Sequence, residues 1–353
     1  MSKVKQNNKK RVFIGMSGGV DSSVSAAILK RHGYEVIGVY IKCWNVDGCE
    51  ERDAEDARRA AESLDIPFYV FDFKEEYKKK VVEYMVNGYK SGITPNPDVE
   101  CNREIKFGLF YDKAISLGAD FIATGHYVEN KNDKLFAAKD KNKDQSYFLW
   151  TLKPEQIKKC IFPLGKITKP EVRILAKKFN LHNAEKKDSQ GICFLGMVSI
   201  EDFLKQYIPE KSGNILNEKG EKIGTHKGAY YYTIGQRHGL GVGGSKNPLF
   251  VKEKDIEKNI IVLAEGEDNP NLLTSKIIIS GVNLINKNLK FPLDCFGRVR
   301  YRQPLFSCKI NKSGDNLEVI FSKPQKFVAP GQSFVFYSKS GEMLGGGIIN
   351  LWK

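Results

Sequence analysis

The chain predicts an α/β protein: a Rossmann-like parallel sheet with helices on both faces, followed by a small β-rich central domain and a C-terminal β-barrel. Three observations carry that expectation. Short runs rich in Val, Ile and Phe alternate with helical patterns through the first half. A glycine turn, Ser17-Gly18-Gly19-Val20-Asp21-Ser22-Ser23, joins the first of these runs to its helix. After Pro209 the texture changes to Gly- and Lys-rich segments and then to regularly spaced short β-rich runs. The expected domains are therefore 1–209, 210–274 and 275–353.

The elements follow in order. Strands are expected at Val12–Met16, Glu35–Lys42, Pro67–Phe73 and Asp120–Thr124. Helices are expected at Ser22–His32 (closed by Gly33), Asp53–Asp65, Lys74–Tyr89 and Lys106–Gly118. This βαβα order implies a parallel sheet, whose ligands bind at the carboxyl ends of the strands. Thr124-Gly125-His126 ends a strand there too. Thr168 is expected to cap a further helix, with Glu171 as its capping-box partner. Ile200–Tyr207 also reads as helical. Strand-like runs recur at Ile277–Ile279, Gly297–Tyr301, Leu317–Phe321, Ser333–Tyr337 and Gly346–Ile349, which suggests a small barrel.

Composition narrows the function. No apolar run among the 353 residues is long enough to span a bilayer, and Met1–Arg11 has neither the apolar stretch of a signal peptide nor a transit-peptide pattern. A cytoplasmic protein with no membrane partner is expected. The net charge of +14 attracts polyanions, nucleic acid being the commonest, although a lysine-rich surface serves solubility as well. The seven cysteines (Cys43, Cys49, Cys101, Cys160, Cys193, Cys295 and Cys308) are odd in number and form no C-x-x-C pair. That argues against a structural zinc ribbon or a secreted disulfide scaffold, and no resident metal ligands are assigned.

Four constellations carry chemistry. In the turn at Ser17–Ser23, two adjacent glycines let the backbone approach a ligand, and the helix starting near Asp21 adds its positive end. The result is an anion site suited to phosphate, and it is not a Walker loop, since no G-x-x-x-x-G-K-[ST] occurs. The second is Thr94-Pro-Asn-Pro-Asp-Val-Glu-Cys101. Its prolines stiffen the loop and forbid a helix before Asp98. A helix beginning at Asp98 would put Asp98 and Cys101 on one face. A thiol near a helix start and near Arg103 and Lys106 should ionise more readily, while the carboxylate opposes this. Spacing alone allows a spectator cysteine equally well. The third is Lys186-Lys-Asp-Ser-Gln-Gly-Ile-Cys193-Phe-Leu-Gly196, a polar loop able to lie over a pocket, with a core cysteine as the equal alternative. The fourth joins Tyr230-Tyr-Tyr-Thr-Ile-Gly-Gln-Arg-His-Gly-Leu-Gly241 and Arg298-Val-Arg-Tyr-Arg-Gln303. The interleaved rings and cations suit RNA, although the tyrosines also fit a hairpin packed on the core. A period of two would place Arg298, Arg300 and Arg302 on one strand face.

The first turn resembles the S-G-G-x-D-S loop of the ATP pyrophosphatases. With N-P-D-V-x-C-N, T-G-H-Y, K-D-Q-S-Y-F, D-S-Q-G-I-C-F, Y-T-I-G-Q-R-x-G-L-G, R-Y-R-Q, P-G-Q-S and L-G-G-G-I-I in that order, the chain resembles the bacterial tRNA-specific 2-thiouridylase family from Phe13 to about Asn350. The resemblance implies ATP-dependent adenylation of the 2-oxygen of the wobble uridine in lysine, glutamate and glutamine tRNAs. Sulfur then displaces AMP. By motif position, Cys193 would carry the sulfur as a persulfide, and Cys101 would close a Cys101–Cys193 disulfide as the sulfur leaves. Asp98 would act as acid or base beside a uracil shaped by Asn96 and Pro97, the base being extruded to reach them.

The same resemblance puts ATP against Gly15, Met16, Ser17, Gly18, Gly19, Val20, Asp21, Ser22, Ile41 and Gly125, with Mg2+ near Asp21. It puts tRNA against His126, Lys143, Asp144, Gln145, Arg300, Tyr301 and Gln332, with the central and C-terminal domains both contacting it. A cysteine desulfurase or sulfur-relay protein would donate the sulfur. An iron–sulfur cluster on Cys101, Cys193 and Asp98 is the alternative to the persulfide. Ile41 stands where many relatives have Met, Gln190 where some have Thr, and Cys43 and Cys49 fall outside the shared motifs. Two other readings compete: a synthetase of the same superfamily acting on a small metabolite, and an RNA-binding module that has lost catalysis. The paired cysteine motifs and the β-rich, arginine-bearing C-terminal half argue against the first. The intact Ser17–Ser23 turn and both cysteines argue against the second.

Overall fold

Arg11–Gly15, buried at its three central residues, is the middle strand of a five-stranded sheet. Residues 9–46, 48, 50–187, 194–196 and 198–350 are described by this computed structural model. The sheet order is Phe68–Asp72, Glu35–Lys42, Arg11–Gly15, Phe121–Ala123 and Cys160–Ile161, with every pair parallel. Chain order turns back at the first strand, so the sheet's switch point lies beyond Gly15. Val12, Ile14 and Met16 pack with Ala57, Ala60 and Ala61. Three alanines on one face of the helix Glu50–Ser63 let it lie close to the strands.

The helices differ from expectation in instructive ways. Val20–Arg31 begins one residue before Asp21, with Gly19 at its N-cap in extended geometry. The expected Lys74–Tyr89 helix extends to Lys90 but widens to a π-helical turn at Lys78–Val82. The helix expected from Lys106 begins at Pro97 instead. It runs as Pro97–Cys101, a π-helical Asn102–Leu109 and Phe110–Ser116. Proline suits a first helical position, where no N–H partner is needed. In the wide segment a Cβ on Gly108 would come 2.9 Å from the Arg103 carbonyl, which explains the glycine. At Lys169–Lys178 the Glu171 carboxylate accepts from the Thr168 N–H at 2.6 Å and from its Oγ1 at 2.8 Å, as the capping signature predicts.

The described chain divides into two compact units. One comprises Met1–Lys80, Asp98–Gly196 and Gly341–Met343; the other comprises Val81–Pro97, Met197–Ser340 and Leu344–Lys353. The second unit holds a four-stranded sheet in the order Leu249–Asp255, Ile260–Glu265, Gly213–Asn217 and Lys222–His226. It also carries the closed barrel of Leu273–Leu284, Asn316–Lys326, Phe306–Ser313, Leu293–Arg298, Ser333–Tyr337 and Met343–Ile349. Ile279, Ile310, Val319, Phe334 and Phe336 fill the barrel with no exposure to solvent. Cys295 and Cys308 face each other across adjacent strands, Sγ to Sγ 3.6 Å, deep in that interior. Hydrogen bonding to Cys308 and burial hold the Cys295 thiol far above its ordinary pKa, so this pair is core packing.

The arginine row is corrected. Its strand stops at Arg298, and residues 299–302 form a bend and turn. Arg298 is buried over the Tyr337 ring, Arg300 is half-buried, and Arg302 takes a left-handed φ of 64° over Tyr301. Three like charges on one strand face repel, and the turn separates them.

Candidate active site

The Ser17–Ser23 turn occupies the switch point of the parallel sheet. Met16 N–H donates to Val39 O at 2.8 Å, closing the first strand against the second. The chain then turns through Gly18 with φ +74°. A Cβ there would lie 2.4 Å from the Asp53 carbonyl, so glycine is required twice over. Ser22 Oγ accepts from the Ser17 N–H at 3.2 Å and lies 3.1 Å from Gly19 O, and Ser23 Oγ donates to Gly19 O at 3.0 Å. The first N–H groups of a helix lack intrahelical partners and suit an anion. Gly125 packs against this helix start, for a Cβ there would stand 2.8 Å from Ser22 N. Ile41 Cδ1 would lie 3.6 Å from a Cβ on Gly15. Gly15 thus lies beside Ile41, and Gly125 beside the start of the helix at Ser22.

Sequence reasoning missed the braces of this turn. Lys169 Nζ reaches both carboxylate oxygens of Asp21, at 2.7 and 2.9 Å, and the Tyr127 hydroxyl donates to Asp21 at 2.8 Å. Buried Asn183 donates to Gly18 O at 3.0 Å and to Ser23 Oγ at 2.9 Å. These partners lie 106 to 165 residues away in sequence, and no local pattern announces them. Asp21 remains partly exposed beside the turn, so its carboxylate fits the one or two carboxylates that Mg2+ takes along with substrate phosphates.

Asp98 and Cys101 stand three apart on the helix Pro97–Cys101, which confirms their shared face. Protein crowds the Asp98 carboxyl; desolvation raises its pKa, and Lys106 opposes the shift. Cys101 is buried. Arg103 forks to Glu100 and Glu104, so its charge is matched by carboxylates. His126 is buried against Phe107 and Phe162, its Nδ1 2.7 Å from Thr124 Oγ1. Burial holds it well below the usual histidine pKa, with Lys106 adding to the effect, so it is neutral at neutral pH. Asp144 is buried and accepts from the N–H groups of Ala138 and Ser146, both at 3.1 Å. Gln145 Oε1 accepts from Tyr127 N–H at 3.0 Å. Half-buried Lys143 closes a turn on Asp140.

Cys193 lies outside the described residues, as do Cys49 and Gln190. The nearest anchored neighbours are Lys186, paired with Asp53 and Asp56 at 2.8 and 2.7 Å, and Phe194, whose carbonyl accepts from Val46 N–H at 3.0 Å. Among the described residues no group of three His, Cys, Asp or Glu is arranged to hold a metal ion.

In the second unit, Asn96 and Pro97 are buried. Gln332 Nε2 donates to Thr94 O at 3.0 Å and approaches Pro95 O at 3.3 Å. Arg300 donates to Ile234 O at 2.7 Å, and Tyr301 is half-buried beside it in the turn. The Tyr230–Gly241 stretch is not a hairpin. Ala229–Tyr231 is a 3-10 turn in which Tyr231 OH donates to Ile208 O at 2.5 Å.

Comparisons with known proteins agree across nearly the whole length. Residues 10–197 match the family model described as tRNA methyl transferase HUP domain, 201–265 its PRC-barrel domain, and 274–349 the aminomethyltransferase beta-barrel domain. A Streptococcus thermophilus protein named tRNA-specific 2-thiouridylase MnmA is 45% identical over 361 residues, covering 98% of this chain and 96% of the relative. A Bacillus licheniformis protein of the same name is 46% identical over 355 residues, covering 96% and 95%. A Pseudomonas fluorescens namesake is 46% identical, covering 98% and 96%.

Proposed function

The chain belongs to the tRNA-specific 2-thiouridylase family, and we propose that it converts the wobble uridine of lysine, glutamate and glutamine tRNAs to 2-thiouridine at the expense of ATP. The observation that carries this reading is the glycine turn at the switch point, braced by Asn183, beside an Asp21 paired with Lys169. Such a turn holds phosphates by backbone N–H groups and a helix start. Mg2+, when bound with ATP, neutralises phosphate charge, and Asp21 is the residue that would hold it.

The reaction has three steps. The uridine 2-oxygen attacks the α-phosphorus, pyrophosphate leaves, and an O-adenylated base results. A persulfide on Cys193 attacks carbon 2 and AMP leaves with the oxygen. The Cys101 thiolate then attacks the Cys193 sulfur, releasing 2-thiouridine and closing a Cys101–Cys193 disulfide that an external thiol reduces. Asp98 moves the uracil N3 proton, for which a raised carboxyl pKa suits it. Asn96 and Pro97 shape the base site. His126, Lys143, Asp144, Gln145, Arg300, Tyr301 and Gln332 contact the tRNA or shape what does. Residues 1–209 form the catalytic domain, and 210–274 and 275–353 form the tRNA-contacting domains. A desulfurase or relay protein supplies the sulfur, and the reaction belongs to the cytoplasm.

An anaerobic single-turnover assay tests this reading. The protein is mixed with ATP, Mg2+, unmodified glutamate tRNA and a persulfide-generating desulfurase, with and without reconstituted iron, and 2-thiouridine is read by mass spectrometry. Thiolation without iron is expected. Thiolation only with iron would make Cys101 and Cys193 cluster ligands, and no thiolation in either tube would overturn the reading.

A further inference from the structure

The segment Ile93-Thr94-Pro95 leads directly into Asn96, Pro97 and Asp98, and its backbone is held from distant parts of the chain. Thr94 N–H donates to Pro330 O at 2.8 Å, and its carbonyl accepts from Gln332 Nε2 at 3.0 Å. Gly331, at φ +88°, permits this approach, since a Cβ there would lie 2.9 Å from Thr94 O. Pro95 is wedged on Gly88 of the helix Glu83–Lys90, where a Cβ would meet it at 2.8 Å.

A second turn, Thr233–Gln236, is equally fixed. Thr233 N–H donates to Gln236 Oε1 at 3.0 Å, and Thr233 O accepts from Gln236 N–H at 2.9 Å. Gly235 N–H donates to Val251 O at 2.7 Å, and Arg300 grips Ile234 O at 2.7 Å. The two turns meet through hydroxyls. Thr94 Oγ1 donates to Thr233 Oγ1 at 3.3 Å, and the buried Tyr89 phenol lies beside the same threonine side chain, which opposes the upward push of burial on its pKa. Burial pushes the Tyr89 phenol up to about 12, so it keeps its proton at neutral pH. Nothing in the proposed chemistry uses Tyr89 or Thr233.

We propose that Thr233 is a positioning residue for 2-thiolation: its hydroxyl, held between Tyr89 and Thr94, fixes the segment that presents Asn96 and Asp98 to the target uridine. The inference rests on the base-site reading above. It assigns the Y-T-I-G-Q-R motif to aligning the reacting base, where the sequence suggested RNA contact. Misplacing a reacting group by about 1 Å lowers a rate by roughly 100-fold. Losing one hydroxyl from a segment that keeps its other anchors should therefore lower it by about 10- to 100-fold.

The test measures single-turnover 2-thiouridine formation at saturating tRNA, together with tRNA Kd and Tm. The proteins are the full-length wild type, Thr233→Val, Thr233→Ser and Tyr89→Phe. Thr233→Val is expected to lose about 10- to 100-fold in rate with Kd within about twofold of wild type. Thr233→Ser should recover to within about threefold, and Tyr89→Phe should lie between. If Thr233→Val does not fold, Tyr89→Phe decides by the same split. A wild-type rate in Thr233→Val, a loss appearing wholly in Kd, or no rescue by Ser overturns the proposal. A wild-type protein that forms no 2-thiouridine overturns the function reading and the proposal with it; an active wild type matched by Thr233→Val overturns the proposal alone.

Discussion

The phosphate turn and the proposed base-site segment are both short, proline- or glycine-marked loops that enter a helix, but they are held differently. Ser17–Ser23 has an internal net, in which Ser22 and Ser23 return to Gly19 and Ser17 returns to Ser22, and Asn183, Lys169 and Tyr127 brace it from afar. Thr94 draws on the far chain: its hydrogen bonds run to Thr233, Pro330 and Gln332, 139 to 238 residues away. A nucleotide site made of backbone can be built once and reused on many chains, because the motif carries its own geometry. The proposed base site instead takes its alignment from Thr233, Pro330 and Gln332, all in its own unit.

Gly18→Ala breaks the comparison at its strongest point and should have the largest effect. The left-handed φ and the 2.4 Å approach to Asp53 O leave no room for a methyl group. The strain is about 1–3 kcal/mol before any clash is relieved. ATP-dependent pyrophosphate release should fall to background, while tRNA Kd stays within about twofold. Wild-type ATP kinetics in this variant would show that the turn's backbone is not the phosphate site.

Asp98→Asn should come next, with about a 100- to 10,000-fold loss in thiolation at neutral pH. Its sign on stability is opposite. The folded Asp98 pKa is raised by desolvation, so the folded state binds the proton more tightly than the unfolded chain. Stability therefore falls as pH rises from about 4 through the folded pKa and is flat above it. Asp98→Asn should raise Tm at pH 7 and match wild type in strong acid. The wild-type rate should fall as pH drops through a pKa above the ordinary carboxylate value. An unchanged acidic limb in the Asn variant would remove Asp98 from proton transfer.

These contrasts explain what was legible. The parallel sheet, the turn, the Thr168 cap and the barrel follow from periodicity, glycine placement and capping chemistry, all local signals. Glu35–Lys42 and Ser333–Tyr337 fall within their expected limits to the residue. The helix expected from Lys106 begins at Pro97 because proline, a breaker inside a helix, is also a good first residue. The arginine row failed because a period of two says nothing about where a strand ends. Lys169 and Asn183 are invisible in the sequence as braces of the turn, since each acts on a partner 148 to 165 residues away.

Gln332→Leu sharpens the comparison from the other side. It removes the amide donor that holds Thr94 O and Pro95 O, a change of about 1–2 kcal/mol. Thiolation should fall by about tenfold at saturating tRNA, with ATP Kd unchanged. A loss confined to tRNA Kd would instead make Gln332 a substrate contact and leave the segment's alignment to Thr233 and Pro330.

The smallest effect is expected where a brace of the phosphate turn is itself only locally supported. Glu171 caps the helix on which Lys169 is the first residue, and Lys169 holds Asp21. Hydrogen bonds from Thr168, then Lys139, hold the Glu171 carboxyl down to about 2. Because the folded pKa is depressed, the cap's contribution is present above about 4.3, the ordinary glutamate value, and fades as pH falls toward 2. Glu171→Ala should loosen that first turn and raise the KM for ATP by about two- to fivefold at neutral pH, with no effect on single-turnover rate at saturating ATP. Lys169 stays in the chain, so an effect as large as that of Gly18→Ala would mean that the turn depends on outside support as fully as the base-site segment does. The distinction between a self-made and an externally aligned site would then fail.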